Sequence, residues 1–266
     1  MRPPKKRTLN VIKIGGNIID DPQVCTVFLR EFAKLPGAKI LVHGGGKIAT
    51  QVAEKLQIET QLVDGRRITT RPMLDVVTMV YGGLVNKNLV AQLQANACNA
   101  IGLTGADAGI IRATKRPVGE IDYGFVGDVA AVNAPQIGGF LAQNLVPVVA
   151  PLTFDADGTI LNTNADTMAS AVAVALAADF KVNLIYCFEK KGVLSNPDED
   201  DSVIPTLNFV DFNVLKTTGA INKGMIPKLD NAFAALKNGV THVTVCHANQ
   251  LTHATQQLAG TTLKHG

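Results

Sequence analysis

The stretch Asn10-Val11-Ile12-Lys13-Ile14-Gly15-Gly16 carries one lysine along an apolar run and directly into two glycines. Residues 10–14 predict a buried β-strand. A lysine on such a strand is costly to bury alone, and the glycines allow a ligand to approach the backbone closely. The segment predicts either a site where a cation and backbone amides meet an anion, or a lysine at a strand end with its ammonium group in water.

A second strand with a glycine loop follows within sixty residues. Residues 38–43 predict a strand, and Gly44-Gly45-Gly46 leads into a helix over 47–56. Between the two strands, Asp21-Pro22 predicts a helix start over 22–34, with Asp as N-cap and Pro in the first position. A glycine loop at a helix N-terminus favours phosphate binding, and a tight turn is the alternative. His43 is either a histidine packed in that turn or a catalytic base.

The rest of the chain continues to alternate between strands and helices. This pattern predicts an α/β fold, a three-layer αβα sandwich on a mainly parallel central sheet. No repeat or linker interrupts it, so we expect one unit over 1–266, with any lobe boundary near 179 and a common sheet through both lobes. The further predicted helices are 72–96, 134–144, 166–178, 209–216, 227–237 and 249–258; the further strands are 100–104, 146–150, 181–188 and 242–247, with a hairpin excursion over 110–132.

Composition restricts the class of protein. The 266 residues are 47% hydrophobic, enough for a sizeable core without disulfides or metals. A net charge of +3, 5% aromatic residues and no Trp make no case for nucleic-acid binding. No run approaches the ~20 apolar residues of a membrane helix, and no secretory leader follows the basic N-terminus, so we expect a cytoplasmic protein without a membrane partner. The four cysteines form no CxxC pair and predict reduced core residues rather than a metal site: Cys25, Cys98, Cys187 and Cys246.

Three further segments carry candidate chemistry. In Asn162-Thr163-Asn164-Ala165-Asp166, Asn164 and Asp166 either cap the next helix or, with Asn162, serve a ligand and nearby lysines. Arg67 follows a turn and is suited to bidentate carboxylate binding, or is a solvated surface residue. Lys228 lies just inside a predicted helix start, where the partial positive charge of the helix disfavours a cation. An anion bound between Lys228 and the helix terminus would remove this repulsion.

A dinucleotide-binding protein is the rival interpretation of the second glycine loop. The segment from Gly44 to Ala49 fits the pattern G-x-G-x-x-A, and Asp64 follows at about the expected interval. This pattern is common in proteins. It also gives no role to Lys13 or to the candidate residues from Asn162 onward. A P-loop is excluded, because the Gly46-Lys47 pair is followed by Ile48.

In order along the chain, the segments resemble those of the amino acid kinase family, from about residue 10 to 262. The matching motifs are IKIGG from Ile12, VHGGG from Val42, DGRRIT from Asp64, GFVGDV from Gly124, LNTNAD from Leu161 and GMIPK from Gly224. Each motif is modest alone, and six in family order are specific. The resemblance implies an N-lobe over 1–178 that binds an acylated amino acid and a C-lobe over 179–266 that binds ATP.

The resemblance also implies an activity and roles for residues. The expected reaction is ATP-dependent phosphorylation of the γ-carboxylate of N-acetyl-L-glutamate, or another N-acyl-L-glutamate, as the second step of arginine biosynthesis. Mg²⁺ would accompany ATP, held mainly by the phosphates and not by a protein metal site. The implied catalytic residues are Lys13, Asp166 and Lys228; the substrate-binding residues are Gly44, Gly45, Gly46, Arg67 and Asn162; the nucleotide-binding residues are Gly15, Gly16, Glu189, Gly224 and Met225.

Two features of the chain depart from the family pattern. Where the family usually has a small polar residue and Asp, the chain has Phe188-Glu189-Lys190, so we expect altered nucleotide contacts. About nine residues precede the first strand, whereas arginine-inhibited members carry an extra N-terminal helix. We therefore expect a homodimer without arginine inhibition. The sequence does not determine which acyl group the acceptor carries. A sibling kinase that acts on aspartate, glutamate, carbamate or a nucleotide remains an alternative, as does a non-catalytic ligand sensor.

Overall fold

The computed structural model describes residues 6–63, 65–196, 198–221 and 225–264. The strands within these ranges are β1 (Arg7–Ile14), β2 (Ala38–His43), β3 (Leu62–Val63), β4 (Arg66–Arg67), β5 (Ala100–Leu103), β6 (Ile111–Lys115), β7 (Gly127–Val132), β8 (Val146–Val149), β9 (Leu152–Phe154), β10 (Ile160–Asn162), β11 (Phe180–Phe188), β12 (Thr206–Asn208), β13 (His242–His247) and β14 (Thr261–Lys264). The α-helices are α1 (Gly16–Ile19), α2 (Pro22–Lys34), α3 (Gly46–Lys55), α4 (Arg71–Val77), α5 (Asn86–Ala95), α6 (Ala134–Ala142), α7 (Ala165–Leu176), α8 (Phe209–Thr218), α9 (Ile226–Lys237) and α10 (Leu251–Thr255).

One eight-stranded sheet runs through the molecule in the order β12-β14-β13-β11-β1-β2-β8-β5. Six of its strands are parallel to one another, whereas β14 and β12 run parallel to each other and opposite to those six. β1 occupies a central position, paired with β11 on one side and β2 on the other. The prediction of a mainly parallel central sheet is confirmed.

The side chains of β1 alternate between two hydrophobic cores, because successive residues of a strand face opposite sides of the sheet. Leu9 and Val11 belong to the core covered by α6, α7, α8 and α9, whereas Ile12 and Ile14 belong to the core covered by α2, α3, α4, α5 and α10. Helices therefore cover both faces of the sheet, which confirms the three-layer sandwich.

The long helix predicted over 72–96 differs from the expectation in its middle. It begins at Arg71 and ends at Ala95, but its central turns, Thr78–Val85, are π-helical. The predicted helix start at Asp21-Pro22 is confirmed, since the Asp21 carboxylate accepts hydrogen bonds from the N–H groups of Gln23 and Val24. All four cysteines are buried and unpaired, as predicted.

The predicted hairpin excursion is also confirmed and is part of a second, smaller sheet. β6 and β7 pair antiparallel within a four-stranded sheet of order β10-β9-β6-β7. This sheet brings the end of β10, and with it Asn162, close to the carboxyl ends of the central strands. Across the described ranges, none of the helices combines the length and apolar character that crossing a bilayer requires.

Candidate active site

Lys13 lies on the α7 face of the central sheet. It follows Leu9 and Val11 at intervals of two residues on β1, so its side chain projects toward the same helix. The residue is 8% exposed, and its Nζ lies 2.7 Å from a carboxylate oxygen of Asp166, in the first turn of α7. Asp166 is also 8% exposed. The lysine is therefore buried with a counterion, and not placed with its ammonium group in water.

The two glycine loops follow β1 and β2, whose carboxyl ends lie at the same edge of the sheet. The N–H of Gly15 donates to the carbonyl of Cys187 at 3.3 Å, and the N–H of Gly44 donates to the carbonyl of Ile14 at 3.2 Å. These two N–H groups are therefore occupied, because they extend the hydrogen bonding between neighbouring strands by one residue. The first amides of α1 and α3, from Gly16 and Gly46, have no partner within their own helices and are the ones that an anion can bind.

Gly45 has a backbone conformation that requires glycine. Its φ is +148°, and a Cβ atom there would lie 3.2 Å from Cδ1 of Tyr81 and 3.3 Å from Cγ2 of Val85. Glycine at this position therefore lets the loop pack closely against Tyr81 and Val85 where α3 begins.

His43 holds the second loop from behind and is fully buried. Its Nδ1 lies 2.7 Å from the carbonyl oxygen of Gly44, and its Nε2 lies 3.1 Å from the amide nitrogen of Asn86. The Asn86 amide donates to Nε2, so the proton of the neutral ring is on Nδ1 and is donated to Gly44. Burial lowers the pKa of His43 to about 4, against a smaller raising effect of the Gly44 hydrogen bond. The structure supports the packed histidine, not the catalytic base.

All five residues predicted to bind substrate line one cavity of about 210 Å³: Gly44, Gly45, Gly46, Arg67 and Asn162. Arg67 is 8% exposed, and its Nη2 donates to the carbonyl of Gly46 and to Oγ1 of Thr50, both at 2.8 Å. Asn162 donates from Nδ2 to Oγ1 of Thr69 at 3.0 Å, which leaves its carbonyl oxygen for other partners. Arg67 is therefore a buried residue of the cavity wall and not a solvated one.

The polar residues of the segment 162–166, at the start of α7, have different contacts. The side chain of Asn164 accepts a hydrogen bond from the N–H of Thr167 and caps the helix. Asp166 pairs with Lys13 instead of capping, and Asn162 lines the cavity. The predicted cap at Asn164 is thus confirmed, and the binding roles of Asp166 and Asn162 stay predictions.

Lys228 lies in the first turn of α9, at the same edge of the central sheet. α9 packs beside α7, where Oγ of Ser170 donates to the carbonyl of Asn231 at 3.2 Å. The Nζ of Lys228 lies 5.3 Å from the ring centre of Phe188, the last residue of β11. The ion pair of Asp166 is formed with Lys13, whereas Lys228 faces the end of β11.

The nucleotide-binding predictions lie near that end. Burial raises the pKa of Glu189, but its own backbone N–H, Asn17 and the charges of Lys228 and Lys47 outweigh burial and lower it overall. Gly15 lies close to Lys13, since a Cβ on Gly15 would be 3.9 Å from its Nζ, whereas Gly16 lies beside Asp20 and the N–H of Gly46. Met225 is half-buried at the start of α9. Gly224 is outside the described residues, as is Asp64 of the rival dinucleotide pattern.

Sequence reasoning missed a carboxylate beside the glycine loops. Both oxygens of Asp20 are shielded from solvent and accept no hydrogen bond from the described residues, and Oδ2 lies 3.9 Å from Nζ of Lys47. Burial raises the pKa of Asp20, and Lys47 opposes that rise. The signal was weak, because Asp20 directly precedes the obvious helix cap Asp21.

Two further lining residues were also missed. Tyr81 lies under Gly45 on the π-helical segment, and Arg116 follows β6. Neither belongs to a recognisable motif, and only the packing of distant segments brings them to the cavity. Across the described ranges, no group of three or more His, Cys, Asp or Glu side chains is arranged to hold a metal ion.

Comparison with known proteins gives similar sequences and similar folds. The sequence profile of the amino acid kinase family matches residues 8–247. An acetylglutamate kinase from Cytophaga hutchinsonii is 60% identical over 91% of this chain and 92% of its own, and one from Phocaeicola vulgatus is 52% identical over 97% and 99%. Among solved structures, a Streptococcus mutans protein is 30% identical, with a TM-score of 0.78 over 96% of this chain and 98% of that one.

Proposed function

The chain belongs to the amino acid kinase family, and we propose on that premise that it transfers the terminal phosphoryl group of ATP to the γ-carboxylate of N-acetyl-L-glutamate or a related N-acyl-L-glutamate. The product is an acyl phosphate, and the step belongs to amino-acid biosynthesis, as the second reaction toward arginine. The names and high identities of the relatives support this substrate class. Family membership also stands against the dinucleotide-binding alternative.

The observation that carries the proposal is the buried Lys13–Asp166 pair beside the glycine loops. A cation with 8% exposure, held at 2.7 Å by a carboxylate, has a fixed position and is not free to search solvent. It lies at the edge where the first amides of α1 and α3 are free. Such preorganised positive groups stabilise charge on a phosphoryl group during transfer.

The assigned roles follow from charge and position. The γ-carboxylate is already a nucleophile, so the reaction needs no general base, which agrees with a neutral structural His43. The amides of Gly45 and Gly46, with Gly44 adjacent, receive the reacting end of the acceptor. Arg67 binds the α-carboxylate, and Asn162 binds the acylamino group.

The phosphoryl group lies between cations contributed by distant segments. We assign Lys13 and Lys228 to it, with Asp166 positioning Lys13. The nucleotide is bound by the C-lobe over 179–266, through Glu189 and Met225, together with Gly15 and Gly16 of the loop that follows β1. Against the effect of burial, hydrogen bonds from its own backbone N–H and from Asn17, with the charges of Lys228 and Lys47, lower the pKa of Glu189, so it is suited to accept hydrogen bonds from a ribose as a carboxylate.

Mg²⁺ accompanies ATP in this proposal and is held mainly by the phosphates. The carboxylates near the loops fit such an ion only as outer partners, since Asp166 is engaged by Lys13 and the oxygens of Asp20 are shielded. The ion would neutralise part of the phosphate charge, whereas Lys13, Lys228 and Arg67 would position the phosphoryl group and the acceptor.

We also propose that the protein is a cytoplasmic homodimer. Large apolar side chains are exposed on α2, at Val24 and Val27, and on the π-helical segment, at Met79 and Leu84. α2 packs against α5, which continues from that segment, so an apolar face on these neighbouring helices is available to a second copy. The molar mass by light scattering tests the dimer, and a monomer at micromolar concentration would contradict it.

The reaction is tested by trapping the acyl phosphate. The protein is incubated with MgATP, hydroxylamine and one acceptor at a time, and the acyl hydroxamate is measured. We expect hydroxamate with N-acyl-L-glutamate and none with aspartate, glutamate or carbamate. Hydroxamate with another acceptor alone would assign a sibling reaction, and tight binding of acylglutamate without turnover would indicate a ligand sensor.

A further inference from the structure

One wall of the substrate cavity is formed by three neighbouring backbone segments. Asn162 forms a β-bridge with Val126, and the N–H of Arg116 donates to the carbonyl of Val126 at 2.8 Å. All three residues line the cavity. Beyond the acylamino group that we assign to Asn162, the wall thus continues through Val126 to Arg116.

The guanidinium group of Arg116 is only partly used by the protein. Its Nε lies 3.2 and 3.1 Å from the two carboxylate oxygens of Asp128, and its Cζ lies 5.3 Å from the ring centre of Tyr123. These contacts fix the side chain, which is 20% exposed. Its Nη1 is shielded from solvent and has no hydrogen-bond acceptor in the described part of the chain. A buried donor without an acceptor is destabilising, which favours a ligand that supplies one.

The lining of the cavity holds more guanidinium groups than an N-acetyl acceptor requires, although Asp128, which pairs with Nε and Nη2 of Arg116, offsets part of their charge from outside the lining. Arg66, Arg67 and Arg116 line the cavity, and no Asp or Glu is among its described lining residues. N-acetyl-L-glutamate has two carboxylates: the γ-carboxylate reacts beside Lys13, and the α-carboxylate is assigned to Arg67. Arg116 therefore has no anionic partner from that ligand, and an acetyl methyl group would offer its Nη1 nothing to bind.

We propose that Arg116 recognises a third carboxylate at the end of the acyl group. The preferred acceptor is then an N-acyl-L-glutamate with a dicarboxylic acyl chain, as in N-succinyl-L-glutamate. The inference rests on the proposed function, because the acceptor occupies the same cavity and reacts in the same way. A site built to donate to a carboxylate discriminates strongly against an analogue without one, since its donor is then left unpaired.

The wild-type enzyme tests the proposal with three acceptors in the hydroxamate assay. N-succinyl- and N-butyryl-L-glutamate have acyl chains of the same length, and only the first ends in a carboxylate; N-acetyl-L-glutamate is the short neutral reference. We expect kcat/KM to be at least about 10-fold higher for the succinyl compound than for either other acceptor. If the acetyl compound is as good or better, the inference is overturned and the proposed function stands. If none of the three is phosphorylated, the proposed function fails and the inference with it.

Variants then assign the preference to Arg116. Arg116→Met should lower the succinyl-to-acetyl ratio of kcat/KM by about 10-fold or more; a general folding defect lowers both values and leaves the ratio unchanged. Arg112→Met is the matched control, since Arg112 is an exposed residue of β6 outside the cavity lining and carries the same charge. Its ratio should equal that of the wild type. A succinyl preference that survives Arg116→Met would overturn the role of Arg116.

Discussion

His43 makes the stability of the protein depend on pH in a range where few other groups titrate. The native pKa is lowered from 6.5 to about 4, chiefly by burial. Above pH 6.5 the ring is neutral in both the folded and the unfolded chain. As the pH falls from 6.5 toward 4, the unfolded chain takes up a proton that the native ring does not, so the folded state loses stability over this interval.

These two pKa values set the size of the effect. Between pH 7 and pH 5 the free energy of unfolding should fall by about 2 kcal/mol on account of His43 alone. In His43→Gln the titrating group is absent, and this part of the pH dependence should disappear. Urea unfolding followed by circular dichroism at the two pH values measures the difference for both proteins.

His242→Gln serves as the control. Burial also lowers the pKa of His242, with a contribution from Lys181, so its removal should take away a smaller part of the same trend. Carbon NMR of the imidazole rings gives a direct check, since His43 should remain neutral at pH 5. An equal loss of stability in wild type and His43→Gln would refute the reasoning.

Three further predictions concern the site itself. Lys13→Met should lower kcat in the hydroxamate assay by on the order of 10²- to 10³-fold, because it removes a fixed cation from the transition state. Gly45→Ala should lower the free energy of unfolding by about 2 kcal/mol in urea titration, because the φ of +148° strains a residue with a side chain and the new Cβ would crowd Tyr81 at 3.2 Å. Arg67→Lys should raise KM for the acylglutamate by about 10- to 100-fold, because an ammonium group cannot reproduce the planar fork.

Each of these has a matched comparison. Lys34→Met removes a lysine whose side chain is 75% exposed and should leave kcat unchanged; equal losses in the two lysine variants would contradict the role of Lys13. Gly37→Ala also has a positive φ, of +80°, but no atom within 4 Å of the new Cβ, so it should cost clearly less than Gly45→Ala. For Arg67→Lys, an equal rise in KM for ATP would argue against a specific contact with the acceptor.

The central fold could be predicted because its strands are continuous apolar runs with clear ends. The strands His242–His247 and Ala38–His43 have the predicted bounds, and the N-cap at Asp21 was visible as Asp-Pro. β9, β10 and β12 were missed because three residues carry too little periodicity to identify a strand. The π-helical turns of Thr78–Val85 are a nearly continuous apolar run, and nothing in that run distinguishes π-helical from α-helical hydrogen bonding.

The candidate site was predictable where a short motif holds the chemistry. The five residues predicted to bind substrate come from three separate motifs, and the structure places them in one cavity. Arg116 and Asp20 were not predictable in the same way. Arg116 reaches the cavity only because β6 pairs with β7 in the small sheet, and the exposed oxygens expected of an Asp at a helix end are shielded at Asp20 by packing.

The continuous pairing of β1 with β11 restricts how the two halves of the enzyme can move. Eight residue pairs, from Arg7 with Phe180 to Ile14 with Cys187, join the strand that carries Lys13 to the strand that leads to Glu189. A swing of one half about a flexible tether would break this ladder. Closure over two bound substrates must instead come from added twist of the shared sheet and from displacement of the loops and helix starts at its edge, so the ammonium group of Lys13, held by Asp166, stays anchored while its surroundings move.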